Sequence, residues 1–182
     1  MDESTKKVKF TRRSKLIALI VLAVLLSALG GMYFFIANDS PRLIVTTPSG
    51  ILKSGEEFEV GVVLENNPGI ILFCLFLHYD ETRFDFVSST TGPALDGQLL
   101  ETKAGIFDGL SAVRATNGLR MKPFTNDGVL YTVKFKVKDS VGSGKGIFHI
   151  SYREGDIVGE PRQPDNQPNN FAPKTVDGKV TV

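Results

Sequence analysis

Few residues in this chain are of a type that does chemistry. The two histidines, His78 and His149, have no second His or Cys at metal-ligand spacing, so each reads as a structural histidine. Cys74 is the one cysteine and can form no internal disulfide. With no cation or helix start nearby to activate its thiol, it reads as a small buried hydrophobe. Asp80, Glu81 and Asp85 could help to hold Ca²⁺ in a loop, but they lack the spacing of a defined site, and no cofactor is expected. Glu154 and Asp156 read as solvated surface acids. The GSGKG run at 142–146 is too short for a phosphate loop and has no Ser or Thr after its Lys, so it reads as a hairpin connection. There is no Gly-x-Ser-x-Gly and no His-Glu-x-x-His. These residues describe a protein that is not an enzyme, which leaves recognition as its role.

The elements that must carry a recognition surface are strands. The stretch Gly69 to Asp80, GIILFCLFLHYD, is apolar on both faces. At period two, Ile71, Phe73, Leu75, Leu77 and Tyr79 share one face, and Ile70, Leu72, Cys74, Phe76 and His78 share the other. Such a strand belongs in mid-sheet, with one face on the core and the other covered by something else. The sequence Asn66-Asn67-Pro68-Gly69 leads into it, and its residue types favour a turn with positive φ.

Strand patterns recur along the rest of the chain after residue 41. Arg42 to Pro48, Glu57 to Leu64 and Arg83 to Ser89 alternate or are rich in β-formers. In Val129 to Lys138, Val129, Tyr131, Val133, Phe135 and Val137 point inward, while Leu130, Thr132, Lys134 and Lys136 point outward. Ile147 to Tyr152 and the closing KTVDGKVTV complete the set. Residues 90–126 are rich in glycine and predict one strand set in long loops, and residues 160–173 predict a polar, Pro-rich loop. No sustained helical period appears after residue 37, so the spacing of strands and turns predicts an all-β sandwich or barrel.

The N-terminus has another character. Residues 1–15 form a basic tail, with six Lys or Arg against two acids. Residues 16–37, LIALIVLAVLLSALGGMYFFIA, are uncharged and long enough to cross the hydrocarbon core as a transmembrane helix. The preceding cations place the N-terminus in the cytoplasm and the domain outside. The rival reading is a signal peptide cleaved after Gly30, which would release the domain. The apolar continuation through Met32 to Ile36 favours an uncleaved signal-anchor. Residues 38–41 make a short linker, and 42–182 form the domain. From Asn38 onward 15 basic residues face 18 acidic ones, a balance that gives no footprint for nucleic acid.

The order of motifs resembles the cohesin family. It is carried by Pro68-Gly69-Ile70 leading to Tyr79-Asp80, then Phe84-x-Phe86-Val87, Asp127-Gly128-Val129-Leu130, Phe135-Lys136-Val137-Lys138 and Val176-Asp177-Gly178-Lys179-Val180-x-Val182. The resemblance implies a jelly-roll β-sandwich of about nine strands. It also implies the binding of dockerin modules that bring polysaccharide-degrading enzymes to a scaffold or cell surface. In the best-known cohesins an outward Asn and Asp on the strand matching Gly69 to Asp80 contact the dockerin. Here those positions are Leu72 and Cys74, so these contacts do not carry over.

If the two strands are neighbours, as the resemblance implies, the partner-binding face combines Leu72, Cys74, Phe76 and His78 with Leu130, Thr132, Lys134 and Lys136. The competing arrangement has loop 90–126 folding over that face and making it core. Direct polysaccharide binding is the runner-up function. It is weakened by the absence of Trp and by the inward prediction for Tyr79 and Tyr131.

Overall fold

Among the described residues the chain forms twelve strands, several of them set by apolar–polar alternation. In chain order these are β1 (Arg42–Thr46), β2 (Glu57–Glu65), β3 (Ile70–His78), β4 (Phe84–Thr91), β5 (Glu101–Phe107) and β6 (Leu110–Asn117), followed by β7 (Gly128–Val137), β8 (Lys145–Ser151), β9 (Ile157–Arg162), β10 (Gln167–Asn170), β11 (Lys174–Val176) and β12 (Gly178–Thr181). One 3-10 turn, Pro93–Leu95, packs beside β7. This computed structural model describes Leu22 and residues 40–118, 123–162 and 167–182. The basic tail and the membrane helix expected over 16–37 lie outside the described residues, Leu22 apart. Among the described residues no helix is long and apolar enough to cross a membrane.

The strands form two sheets, and Pro41–Val182 is one unit. The first sheet has the order β11-β1-β2-β7-β4. The second has the order β10-β9-β3-β6-β5, with β8 pairing the far end of β3 and β12 pairing β8. All pairings are antiparallel except β1 with β11. The core lies between the sheets, with Val60, Val62, Tyr131, Val133 and Phe135 from the first sheet and Phe73, Leu75, Leu77, Val113 and Phe148 from the second. Phe58, Phe84, Phe135 and Phe148 meet at the centre with contacting ring centroids 5.1–6.0 Å apart, in edge, tilted and, for Phe58 with Phe135, stacked arrangements. Gly146 is needed beside them, because a Cβ there would lie 2.3 Å from the Phe84 ring.

The Asn66–Gly69 turn carries β2 of one sheet into β3 of the other. Asn66 and Gly69 take positive φ, as their residue types allow. Asn67 fixes the crossing by donating to the carbonyls of Phe124 and Asn126, each at 3.0 Å, and by accepting from Gly69 N at 3.1 Å.

The structure changes several expectations. Residues 90–126 contain two strands, β5 and β6, joined at Asp108-Gly109, where both residues have positive φ as a type I′ hairpin requires. β9 and β10 occupy part of the Pro-rich segment, and the closing strand is split at Asp177 into β11 and β12. The GSGKG run is no hairpin connection, because it leads from β7 in one sheet to β8 in the other. In β3 the register shifts between Ile70 and Leu72, so Ile70 turns into the core and Ile71 is only half-buried. In β7 a matching irregularity opposite Val62 and Val63 leaves Leu130 as the extra residue and turns it inward, with 1% exposure.

Candidate protein-binding face

β3 sits between β6 on one side and β8 and β9 on the other, while β7 lies in the opposite sheet between β2 and β4. The expected neighbourhood of β3 and β7 is therefore corrected. Leu72, Cys74, Phe76 and His78 face outward from the second sheet. Thr132 and Lys134 face outward from the first, across the whole sandwich, and Leu130 is core. These seven residues form no common surface. The strand that supplies the basic neighbours of β3 is β6, and behind it β5.

Register defines what does lie together on the outer face of the second sheet. One row runs Lys103, Arg114, Phe76, Ser151 across β5, β6, β3 and β8, and the next runs Gly105, Ala112, His78, His149. Inward neighbours on the same strands, Val113, Ala115, Leu75 and Ile150, are buried, which fixes the outward direction of these rows. Of residues 90–126, β5 and β6 extend this face edge to edge through the pairing of β6 with β3, while Pro93–Leu95 packs beside β7 of the other sheet.

Phe76 is the centre of the face. Its ring lies 5.3 Å from that of Phe107 and 6.5 Å from that of His78, and the Arg153 guanidinium stands 5.7 Å from its centroid. Together these neighbours leave it 7% exposed although it is no part of the core between the sheets. Arg153 is itself held by both Asp108 oxygens, at 2.8 and 2.9 Å, which ties the β8–β9 turn to the β5–β6 turn across the ring. The face is thus apolar, as its sequence implies, but its central ring is bordered by long side chains. Cys74 is half-buried and accepts from the Thr116 hydroxyl at 3.6 Å, and Leu72 lies beside Gly118.

The two histidines stack on this face with ring centroids 6.1 Å apart. His78 Nε2 shares a hydrogen bond with Ser151 Oγ at 2.7 Å, and its buried Nδ1 has no hydrogen-bond partner among the described residues. Burial, reinforced by nearby His149, pushes the His78 pKa below its ordinary value, against a smaller opposing pull from Asp108. His78 therefore stands as a neutral ring at pH 7. His149 Nδ1 contacts Asp177 Oδ1 at 2.7 Å.

The acids considered for Ca²⁺ are directed to separate partners. Asp80 accepts from Thr82 and pairs with Arg83, Glu81 accepts from the Ser111 hydroxyl, and Asp85 pairs with Lys138 at 3.3 Å. Among the described residues no three such side chains are grouped as metal ligands. Tyr131 lies in the core, where burial raises its pKa, and Tyr79 packs against Phe135, so neither offers a flat ring to a sugar.

Sequence reasoning missed Lys103, Phe107, Arg114, His149 and Arg153 as members of the face. One local signal was present: Asp-Gly at 108–109 is a strong hairpin cue. Finding it would have brought Lys103 and Arg114 into register.

Comparisons with known proteins agree with this architecture. The chain is 24% identical over 177 residues to a cellulosome-anchoring protein of Acetivibrio thermocellus, covering 94% of this chain and 38% of that protein. The chain thus spans little more than a third of the length of that relative. Among solved structures, a type I cohesin from a cohesin–dockerin complex of Clostridium thermocellum superposes with a TM-score of 0.63 at 22% identity, covering 78% of this chain and 98% of that one. A non-cellulosomal cohesin from the archaeon Archaeoglobus fulgidus superposes at 0.60 and 18% identity, covering 78% of this chain and 90% of that one. The sixth cohesin of scaffoldin B from Acetivibrio cellulolyticus, solved in complex with a dockerin, gives 0.60 and 19% identity, covering 78% and 97%. The family model of the cohesin domain matches residues 41–182, the whole of the β-sandwich, and the chain belongs to the cohesin family.

Proposed function

We propose that this chain is a non-catalytic recruiting module that binds a dockerin-type protein partner over the outer face of β5, β6, β3 and β8. The observation that carries this reading is Phe76, an aromatic side chain at the centre of a sheet face, outside the core and ringed by Phe107, His78 and Arg153. A desolvated aromatic centre with a polar, charged border is the usual anatomy of a protein-binding hot spot. Structures similar to this chain were solved with dockerins bound, which supports the same partner class. The tether belongs to the proposal as well: residues 16–37 anchor the chain in the membrane, with the domain outside. The intact mass of the mature protein tests this, since cleavage would remove everything up to Gly30.

Binding is tested by pulling down dockerin-bearing proteins with the full-length chain beside a panel of insoluble polysaccharides. Retention of a dockerin, and its loss with Phe76→Glu, is the expected result. Retention of polysaccharide alone would overturn it in favour of a sugar-binding module. That alternative has no exposed Trp to recommend it, because the chain contains none.

A further inference from the structure

The acids near Phe76 are already matched: Asp108 holds Arg153, and Asp177 contacts His149. Two cations of the same face are not. The antiparallel register of β5 and β6 sets Lys103 directly opposite Arg114, a juxtaposition of like charges that by itself disfavours the pairing. Lys103 is exposed, and Arg114 lies half-buried with its guanidinium 5.8 Å from the Phe107 centroid. Among the described residues neither side chain has an ion-pair or hydrogen-bond partner. Glu101, two residues along and opposite Thr116, forms no ion pair with either. On the outer face of the other sheet Lys134 pairs with Glu57, Lys138 with Asp85 and Arg42 with Glu65, and Lys136, which has no ion pair among the described residues, stands opposite the acids Glu57 and Asp85 rather than opposite a cation.

We infer that Lys103 and Arg114 form a carboxylate subsite, so that the protein docking on this face presents an Asp or Glu side chain between them, beside the Phe107 ring. This inference rests on the proposed binding face and names the chemistry of its partner. One carboxylate has two acceptor oxygens, enough to receive the Arg114 fork and the Lys103 ammonium together. Its arrival turns a repulsive pair into an attractive triad. The Phe107 ring and the docked partner exclude water around that contact, which strengthens it. The domain as a whole is acidic, with 15 basic against 18 acidic residues from Asn38 onward, so an acidic partner is not drawn to every side of it. A local cation pair would therefore select the docking face and the orientation of the partner.

The test uses the full-length chain and a panel of purified dockerin modules. Wild type, the double variant Lys103→Glu with Arg114→Glu, and Phe76→Glu are compared by calorimetry at low and high salt. The expected result is that a dockerin bound by wild type loses about fivefold or more in affinity to the double variant, that the remaining binding depends less on salt, and that the melting temperature does not fall. Replacing the partner's acid by Lys should restore affinity to the double variant and to no other. A loss smaller than about fivefold, or an equal loss when uncharged residues replace the partner's acids and the double variant is used, would overturn the inference and leave the binding face standing. If no dockerin binds wild type, the binding-face reading fails, and the subsite with it.

Discussion

The two outer faces of the sandwich are built from similar strands and carry different side chains. On the first sheet, β2, β7 and β4 alternate Glu57 and Asp85 with Lys134 and Lys138, and the ion pairs lie between neighbouring strands at 3.3–3.6 Å. Those pairs neutralise part of that face within the domain, while Lys136 and Glu59 of the same face form no ion pair among the described residues. On the second sheet the outward positions of β3 carry Cys74, Phe76 and His78, and those of β5 and β6 carry unmatched cations. The proposed binding site falls on the face with the aromatic centre and the unmatched cation pair. The difference lies in what each strand is paired with, since β7 taken alone is the more regular amphipathic strand.

Adjacent residues of β3 give the largest expected contrast. Leu75→Ala removes a fully buried side chain between the sheets and should cost about 2–5 kcal/mol of unfolding free energy. Phe76→Ala, one residue on and on the outer face, should cost about 1.5–3 kcal/mol by area removed from water, and it should be the variant that loses the partner. Urea melts and partner pull-downs of the two variants measure this. Equal stability losses with equal retention of binding would erase the distinction between the faces.

A binding comparison comes next. Phe76→Glu should weaken a bound dockerin by about a hundredfold or more, as hot-spot losses do. Lys134→Glu on the opposite face should leave it within about twofold. Loss of binding with Lys134→Glu would mean that the partner docks on the first sheet.

A smaller effect concerns acid. The folded-state pKa of His78 is depressed, so the fold prefers the neutral ring. That contribution is complete above the ordinary value of 6.5 and is lost progressively as pH falls from there through the folded-state pKa. Wild type should therefore lose more stability than His78→Gln between neutral and mildly acid pH. His149, Asp108 and Ser151 surround the ring and are the same in both proteins, so their own effects largely cancel. A parallel pH dependence in the two proteins would remove His78 from the acid response. The smallest effect is expected for Glu57→Gln, where an exposed pair is broken and stability should change by no more than about 0.5 kcal/mol, with binding unchanged.

Much of the fold was legible where local pattern and burial agree. Phe73, Leu75 and Leu77 alternate inward as their period requires, and Asn66–Gly69 turns as its residue types require. The pattern fails where it is interrupted. The shifts at Ile70–Leu72 and around Leu130 put Ile70 and Leu130 on the core side, because one extra residue breaks the alternation between the two sides of the irregularity while the residues beyond it keep the expected face. β5 and β6 were hidden for a different reason. Ala104, Gly105 and Ala112 are too small to give an apolar alternation, although Asp108-Gly109 announced the hairpin.

The sequence alone determined which residues turn inward on most strands and the order of motifs that marks the cohesin family. It also determined the apolar outer half of β3. Those are local properties, set by side-chain alternation and by turn residues a few positions apart. Only the tertiary structure decided that β3 lies beside β6 and not beside β7, and so that Lys103 and Arg114, rather than Lys134, border Phe76. Strand pairing is made by backbone groups common to every residue, across connections of tens of residues, and no side-chain pattern within one strand records which partner it will take.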